Sequence, residues 1–151
     1  MAVQLAVARD ATVLGTASPA KHDRLRELGA IPTAYGPGLA DRVRAAAPAG
    51  VRAAADLVVT DEAVDVSVEL VADRSRIATI AGFGRGAQGG IKLLGGGPGG
   101  DPGTDVRAAA RLQLTEAAET GRPRVLIAGS HPLGEAAAAA AQRQIMTGHT
   151  R

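Results

Sequence analysis

The chain has no cysteine among its 151 residues, which excludes disulfides, thiolate zinc sites and a cysteine nucleophile together. Aromatic side chains are nearly absent, with one Tyr, one Phe and no Trp. Such a core has to pack through small aliphatic groups and close backbone approach, with few large anchors. No apolar run approaches the roughly 20 residues of a membrane helix. The N-terminus lacks the charged start and apolar centre of a secretory signal. The expectation is a cytoplasmic protein with no membrane partner. Charge of one sign is lacking too: 17 Lys and Arg face 15 Asp and Glu, a net of +2. Without a basic block interleaved with aromatics, a nucleic-acid partner is not expected. The histidines His22, His131 and His149 are scattered, with no paired ligand spacing, so no metal is expected. The glycine run GGGPGGDPG (95–103) lacks the Lys-Ser/Thr ending of a phosphate loop, and its prolines remove amide donors. It reads as a flexible connection.

What is present is an alternation of strand-like and helix-like segments. Ala2 to Ala8 has the look of a helix with no cap before it, and the strand-like run Ala11 to Ala17 follows almost at once. Pro19 to Gly29 reads as a helix, Ala30 to Tyr35 as a strand, and Leu39 to Ala47 as an amphipathic helix with Asp41, Arg42 and Arg44 on its polar side. Val51 to Thr60 is a near-continuous apolar run interrupted by one acid, Asp56, which suits a buried parallel strand. Asp61 to Ala72 resumes helical spacing, and Arg76 to Phe83 is another apolar strand. Gly84 to Gly103 reads as loop, short strand (Ile91 to Leu94) and loop. A helix over Asp105 to Thr120, a strand over Val125 to Ala128 and a helix over Pro132 to Gln144 complete the pattern. Strands and helices at such spacing predict parallel β-α-β units, an α/β fold with a doubly wound sheet in one domain. A chain of this length buries roughly 70 % of its unfolded surface.

In such a sheet, ligands bind beyond the carboxyl ends of the strands. After the first strand come Thr16, Ser18 and Lys21, with no acid to grip a ribose 2′-hydroxyl. A hydroxyl and an ammonium three residues apart at a helix start suit a 2′-phosphate. Equally, Ser18 can be a plain helix cap and Lys21 a solvated lysine. Tyr35, the sole tyrosine, ends the next strand at the same corner. Its ring can cover adenine, its hydroxyl can reach phosphate, or it can be a rim aromatic.

The order AVQLAVARDATVLGTAS, followed by Lys21 and Leu28-Gly29-Ala30, resembles the cofactor domain of medium-chain dehydrogenases/reductases, in the zinc-independent quinone oxidoreductase-like group. The matching positions are Gln4, Leu5, Ala6, Ala8, Thr16, Ser18, Lys21 and Leu28-Gly29-Ala30. Gly121, Pro132-Leu133, Glu135-Ala136 and Gly148-His149 resemble the family's closing stretch. The resemblance is collinear over nearly the whole chain.

It implies a Rossmann-like doubly wound sheet, NADP(H) as cofactor without zinc, and hydride transfer to a quinone or enone in a whole relative. It implies that Ser18, Lys21 and Tyr35 meet the 2′-phosphate end, with Thr16 among the cofactor-binding residues. Ala81, Gly82 and Phe83, closing the strand Arg76 to Phe83, would line the nicotinamide side mainly through backbone. Ile91 to Leu94 would pair with its twin in a homodimer, or serve as an ordinary edge strand protected by Lys92.

Three departures accompany these matches. The family's first strand and glycine-rich pyrophosphate turn would precede Met1, as would its N-terminal catalytic domain. The family's Asp-to-glycine strand reads Asp56-Leu57-Val58-Val59-Thr60, without the glycine. The expectation is therefore an incomplete Rossmann domain over residues 1–151 with little turnover of its own. The alternatives are a non-catalytic nucleotide-binding or interaction module, or the product of a truncated gene.

Overall fold

A computed structural model describes residues 1–58, 60–97, 99–121, 123–125, 127, 129–132 and 134–146. The segment MAVQLAV forms helix α1 (Ala2–Val7), followed by β1 (Val13–Thr16). Pro19–Lys21 is a 3-10 turn that leads into α2 (His22–Glu27). The helix is shorter than its sequence pattern because Pro19 fixes a tight first turn. Leu25 lies over Gly15 of β1, where an added Cβ would come within 3.0 Å of the leucine. Val7 lies in the same way over Gly29, so the Leu-Gly-Ala stretch forms the contact between α1 and the turn into β2 (Ala30–Thr33).

Helix α3 (Leu39–Ala46) is followed by β3 (Ala54–Asp56) and α4 (Asp61–Leu70). Helix α4 starts where Thr60 accepts the Ala63 amide at 3.2 Å, with Asp61 and Glu62 in its first turn, the favourable sign for a helix N-terminus. Then come β4 (Ile77–Thr79), α5 (Phe83–Gln88), β5 (Lys92–Leu93), α6 (Thr104–Glu119) and α7 (Glu135–Met146).

The strands form two parallel sheets. In one, β1 pairs with β2, Val13 opposite Ala30 and Thr16 opposite Thr33. The other has the order β3-β4-β5, with Asp56 opposite Thr79 and Thr79 opposite Leu93. The largest fully buried side chains gather at the three-stranded sheet: Val64, Val71 and Ile77, with Ile91 beside them. Val51, Ala54 and Val68 pack around this cluster. The core thus lacks aromatics, as the composition required.

Two sheet edges carry recognisable protection. Pro32 lies in β2, where a missing N–H is tolerated only at an edge. On β5, the Asp101 backbone takes the outer edge: the Gly95 amide donates to its carbonyl at 2.9 Å, and its own amide donates to Leu93 at 2.7 Å.

Several boundaries depart from expectation. The run Val51 to Thr60 yields a strand of only three residues. The chain turns at Asp56, whose carboxylate accepts the Val58 amide at 3.4 Å, and Val58 is 82 % exposed. The strand expected over Arg76 to Phe83 ends at Thr79, and Phe83 opens a helix that the glycine-rich sequence concealed. Val125 and Ile127 are not in a strand. Leu126 and Ala128 of that expected strand lie outside the described residues, as do Val59, Leu133 and Gly148-His149. Helix α7 begins three residues later than expected and continues to Met146. Among the described residues, no helix is long and apolar enough to cross a membrane.

Candidate functional site

The carboxyl ends of β1 and β2 are level, because Thr16 pairs with Thr33 and the Ala17 amide donates to the Thr33 carbonyl at 3.0 Å. This register brings the segment Thr16 to Lys21 alongside the segment Thr33 to Tyr35. Thr16 is exposed and Ser18 half-buried. Ser18 occupies the N-cap of the 3-10 turn but makes no side-chain cap hydrogen bond; the turn is closed by the Lys21 amide donating to the Ser18 carbonyl at 2.9 Å. Its hydroxyl is therefore not spent as the cap that Ser at this position suggests. Lys21 is exposed, and no salt bridge among the described residues engages its ammonium. Tyr35 stands two residues beyond β2 with 58 % of its surface exposed. The half-buried His22 ring nitrogen donates to the Ala17 carbonyl at 3.2 Å and ties α2 to the strand end. A lone histidine beside Lys21 gave no signal of that role in sequence.

The loop after β2 is held from two helices. Arg42 of α3 donates four hydrogen bonds to three carbonyls. Its Nε and Nη2 reach Ala34 at 3.0 and 2.9 Å, Nη2 reaches Gly36 at 2.7 Å, and Nη1 reaches Pro37 at 2.8 Å. The Gly36 amide donates to Glu62 Oε2 at 2.8 Å. Since Glu62 belongs to the helix after β3, this bond joins the carboxyl end of one sheet to that of the other. Arg44 and Glu69 form a second link between α3 and α4. Arg42 was expected on the polar, solvent-facing side of α3; instead it is half-buried and folded back on the loop. Helical periodicity reports which face a residue occupies, but a guanidinium at the edge of that face can reach neighbouring carbonyls.

At the second sheet, the site centres on two polar residues that drew little notice in sequence. Asp56 is 7 % exposed and Thr79 fully buried. The Thr79 hydroxyl donates to Asp56 Oδ2 at 2.7 Å and accepts the amides of Ala81 at 3.1 Å and Gly82 at 2.8 Å. One donor and two acceptors exhaust what a hydroxyl offers. Gly82 is packed so closely that an added Cβ would lie 3.1 Å from Asp56 Oδ2. The expectation that Ala81, Gly82 and Phe83 close a strand is therefore corrected: Ala81 and Gly82 form the turn between β4 and α5, and Phe83 opens α5. The amides of Ala81 and Gly82 are thus engaged, and so are their carbonyls, which accept the Phe83 amide at 3.0 Å and the Gly86 amide at 2.7 Å. The Phe83 ring packs on Gly95, Gly97 and Gly100 of the glycine-rich segment. Its side chain organises that loop.

A cavity of about 240 Å³ lies beyond the ends of β4 and β5, lined by Ile80, Leu94, Asp101, Pro102, Gly103, Val106 and Arg107. Among the described residues, no cluster of three His, Asp or Glu side chains has the arrangement to hold a metal. No protein-family model, curated protein or solved structure matches the chain.

Proposed function

We propose that the chain is the cofactor-binding portion of an NADP(H)-dependent oxidoreductase, with a Rossmann-like, doubly wound arrangement and a site for the 2′-phosphate end of the nucleotide at the β1–β2 corner. The observation that carries the reading is the level pairing of Thr16 with Thr33. Ser18 and Lys21 follow one of these two strand ends and Tyr35 the other, which supports a shared site for one anionic, aromatic ligand. The fit is chemical as well as spatial. A lysine without an ion-pair partner among the described residues and a serine hydroxyl not used as a cap suit a phosphate monoester, and no carboxylate follows β1 to prefer a ribose diol. The strand orders support the doubly wound reading. Written as β2-β1 and β3-β4-β5, they follow the order 3-2-1-4-5-6 with the position of strand 1 left open.

When bound, the nicotinamide supplies a hydride, which in quinone oxidoreductase-like proteins passes to a quinone or enone. In this chain Ser18 and Lys21 hold the phosphate and Tyr35 lies against the adenosine. On this reading Ala81, Gly82 and Phe83 line the nicotinamide side. We assign the chain binding with little turnover: beside the Ala81–Gly82 turn, the Asp56 carboxylate is occupied as an acceptor from Thr79 and Val58. No homodimer through Ile91–Leu94 is included, since Asp101 occupies the backbone groups of Leu93 and Gly95 on that edge.

The test is calorimetric titration of the chain with NADPH and with NADH. NADPH is expected to bind more tightly, and Lys21→Ala to abolish the difference. Equal affinity for both in the wild-type chain, or none for either, overturns the reading. Quinone reduction at a measurable rate by the isolated chain contradicts the assignment of binding without turnover.

A further inference from the structure

We infer that Arg42 and Glu62 are positioning residues for the nucleotide: they clasp the loop bearing Tyr35 and set its ring as a fixed stacking surface, without touching the phosphate. The inference rests on the nucleotide reading above for its ligand.

Three observations carry it. First, the clasp encloses Tyr35. Arg42 binds the carbonyls of Ala34 on one side and of Gly36 and Pro37 on the other, while Glu62 takes the Gly36 amide. Second, the loop would otherwise be loose. Gly36 and Gly38 have φ of +94° and +83°, and a Cβ at Gly36 would meet no atom within 4 Å, so nothing packs on that side of Gly36 and the glycines leave the backbone freedom. Two charged side chains from different helices supply the order that packing does not, through charge-assisted bonds. Third, the residue presented is the chain's single tyrosine, 58 % exposed. A rigid, exposed aromatic costs little conformational entropy when a planar base stacks on it.

The division of labour follows from donor counting. Arg42 has five N–H donors, and four of its bonds go to carbonyls. Glu62 offsets its charge at the same loop. Preference for a 2′-phosphate is thereby left to Lys21, whereas Arg42 acts on whatever adenosine Tyr35 meets.

This separates the two roles experimentally. In Arg42→Lys the cation is kept and the fork lost. Affinity for NADPH and NADH should fall together by about tenfold, with their ratio unchanged. Chain labelled with 3-fluorotyrosine gives one fluorine resonance, from Tyr35, which should narrow as the loop is released. Glu62→Gln keeps an acceptor for the Gly36 amide without its charge and should lose less affinity than Glu62→Leu, which should repeat the Arg42→Lys phenotype. The Glu62 pair also serves if Arg42→Lys fails to fold. Loss of NADPH affinity alone in Arg42→Lys, or unchanged affinity for both nucleotides, overturns the inference. A wild-type chain that binds neither nucleotide overturns the nucleotide reading. The clasp is then judged on the fluorine signal, and a line unchanged by Arg42→Lys and Glu62→Leu overturns it as well.

Discussion

The hydroxyl of Thr79 donates to the carboxylate of Asp56 across 2.7 Å, between two residues directly opposite in neighbouring parallel strands. Because the same hydroxyl accepts the amides of Ala81 and Gly82, one oxygen fixes the end of β3, the end of β4 and the turn into α5. Thr79→Val keeps the shape and deletes that oxygen, taking the acceptor from two amides and one donor from the Asp56 carboxylate. The expected cost is about 3 kcal/mol, read from urea unfolding, with Thr79→Ser retaining most of the stability. A loss below about 0.5 kcal/mol would show that water replaces the hydroxyl without penalty.

Helix α5 contains an internal control. An alanine Cβ at Gly86 would lie 2.7 Å from Leu93 Cδ2 and 2.8 Å from Thr79 Cγ2, whereas none of its neighbours lies within 4 Å at Gly84. Gly86→Ala is expected to destabilise by about 2 kcal/mol through overpacking. Gly84→Ala, two residues away, should stabilise by about 0.5 kcal/mol through helix propensity alone. Thermal unfolding of both variants checks the pair, and equal effects would contradict the packing described.

Gln4 uses its amide as a strand uses its backbone: Nε2 donates to the Arg124 carbonyl at 3.0 Å, and Oε1 accepts the Arg124 amide at 2.9 Å. Gln4→Ala should therefore speed hydrogen exchange at the Arg124 amide selectively, at a cost in global stability below about 1 kcal/mol. Unchanged exchange at that amide would show that the contact does not persist in solution.

Asp73 caps the turn Arg74–Arg76 by accepting the Ser75 amide at 2.9 Å. Hydrogen bonds from the Ser75 side chain and backbone hold its carboxyl below the ordinary carboxylate range. Its folded value is depressed, so the contribution to stability is present above the unfolded value and is lost as pH falls through the folded one. The Ser75 amide resonance should shift only in acid, below about pH 4, and Asp73→Asn should remove that step. A shift centred near neutrality would point to a different group.

Much of the α/β alternation was legible in sequence because it rests on periodicity and punctuation. Leu39 to Ala46 and Thr104 to Glu119 lie within a residue or so of their expected ends. Failures came where tertiary contacts override local pattern. Phe83–Gln88 carries two glycines that argue against a helix, yet Gly86 is demanded by Leu93 and Thr79 pressing on it. The apolar run after Asp56 looked like buried strand, but a carboxylate that captures its own downstream amide ends the strand early. Ser18, Lys21 and Tyr35 could be picked out because they are polar or aromatic at strand ends. Arg42 and Glu62 could not, since one surface charge on an amphipathic helix looks much like another until the loop beneath it is seen.

The sheet edges differ in how they meet other chains. Pro32 withholds an amide from β2, and the return of the chain at Asp101 occupies β5. Among the described residues, neither device lies on β1 or β3. A foreign strand seeking free backbone is therefore turned away at β2 and at β5 by two unlike means, a missing donor at one and an occupied ladder at the other.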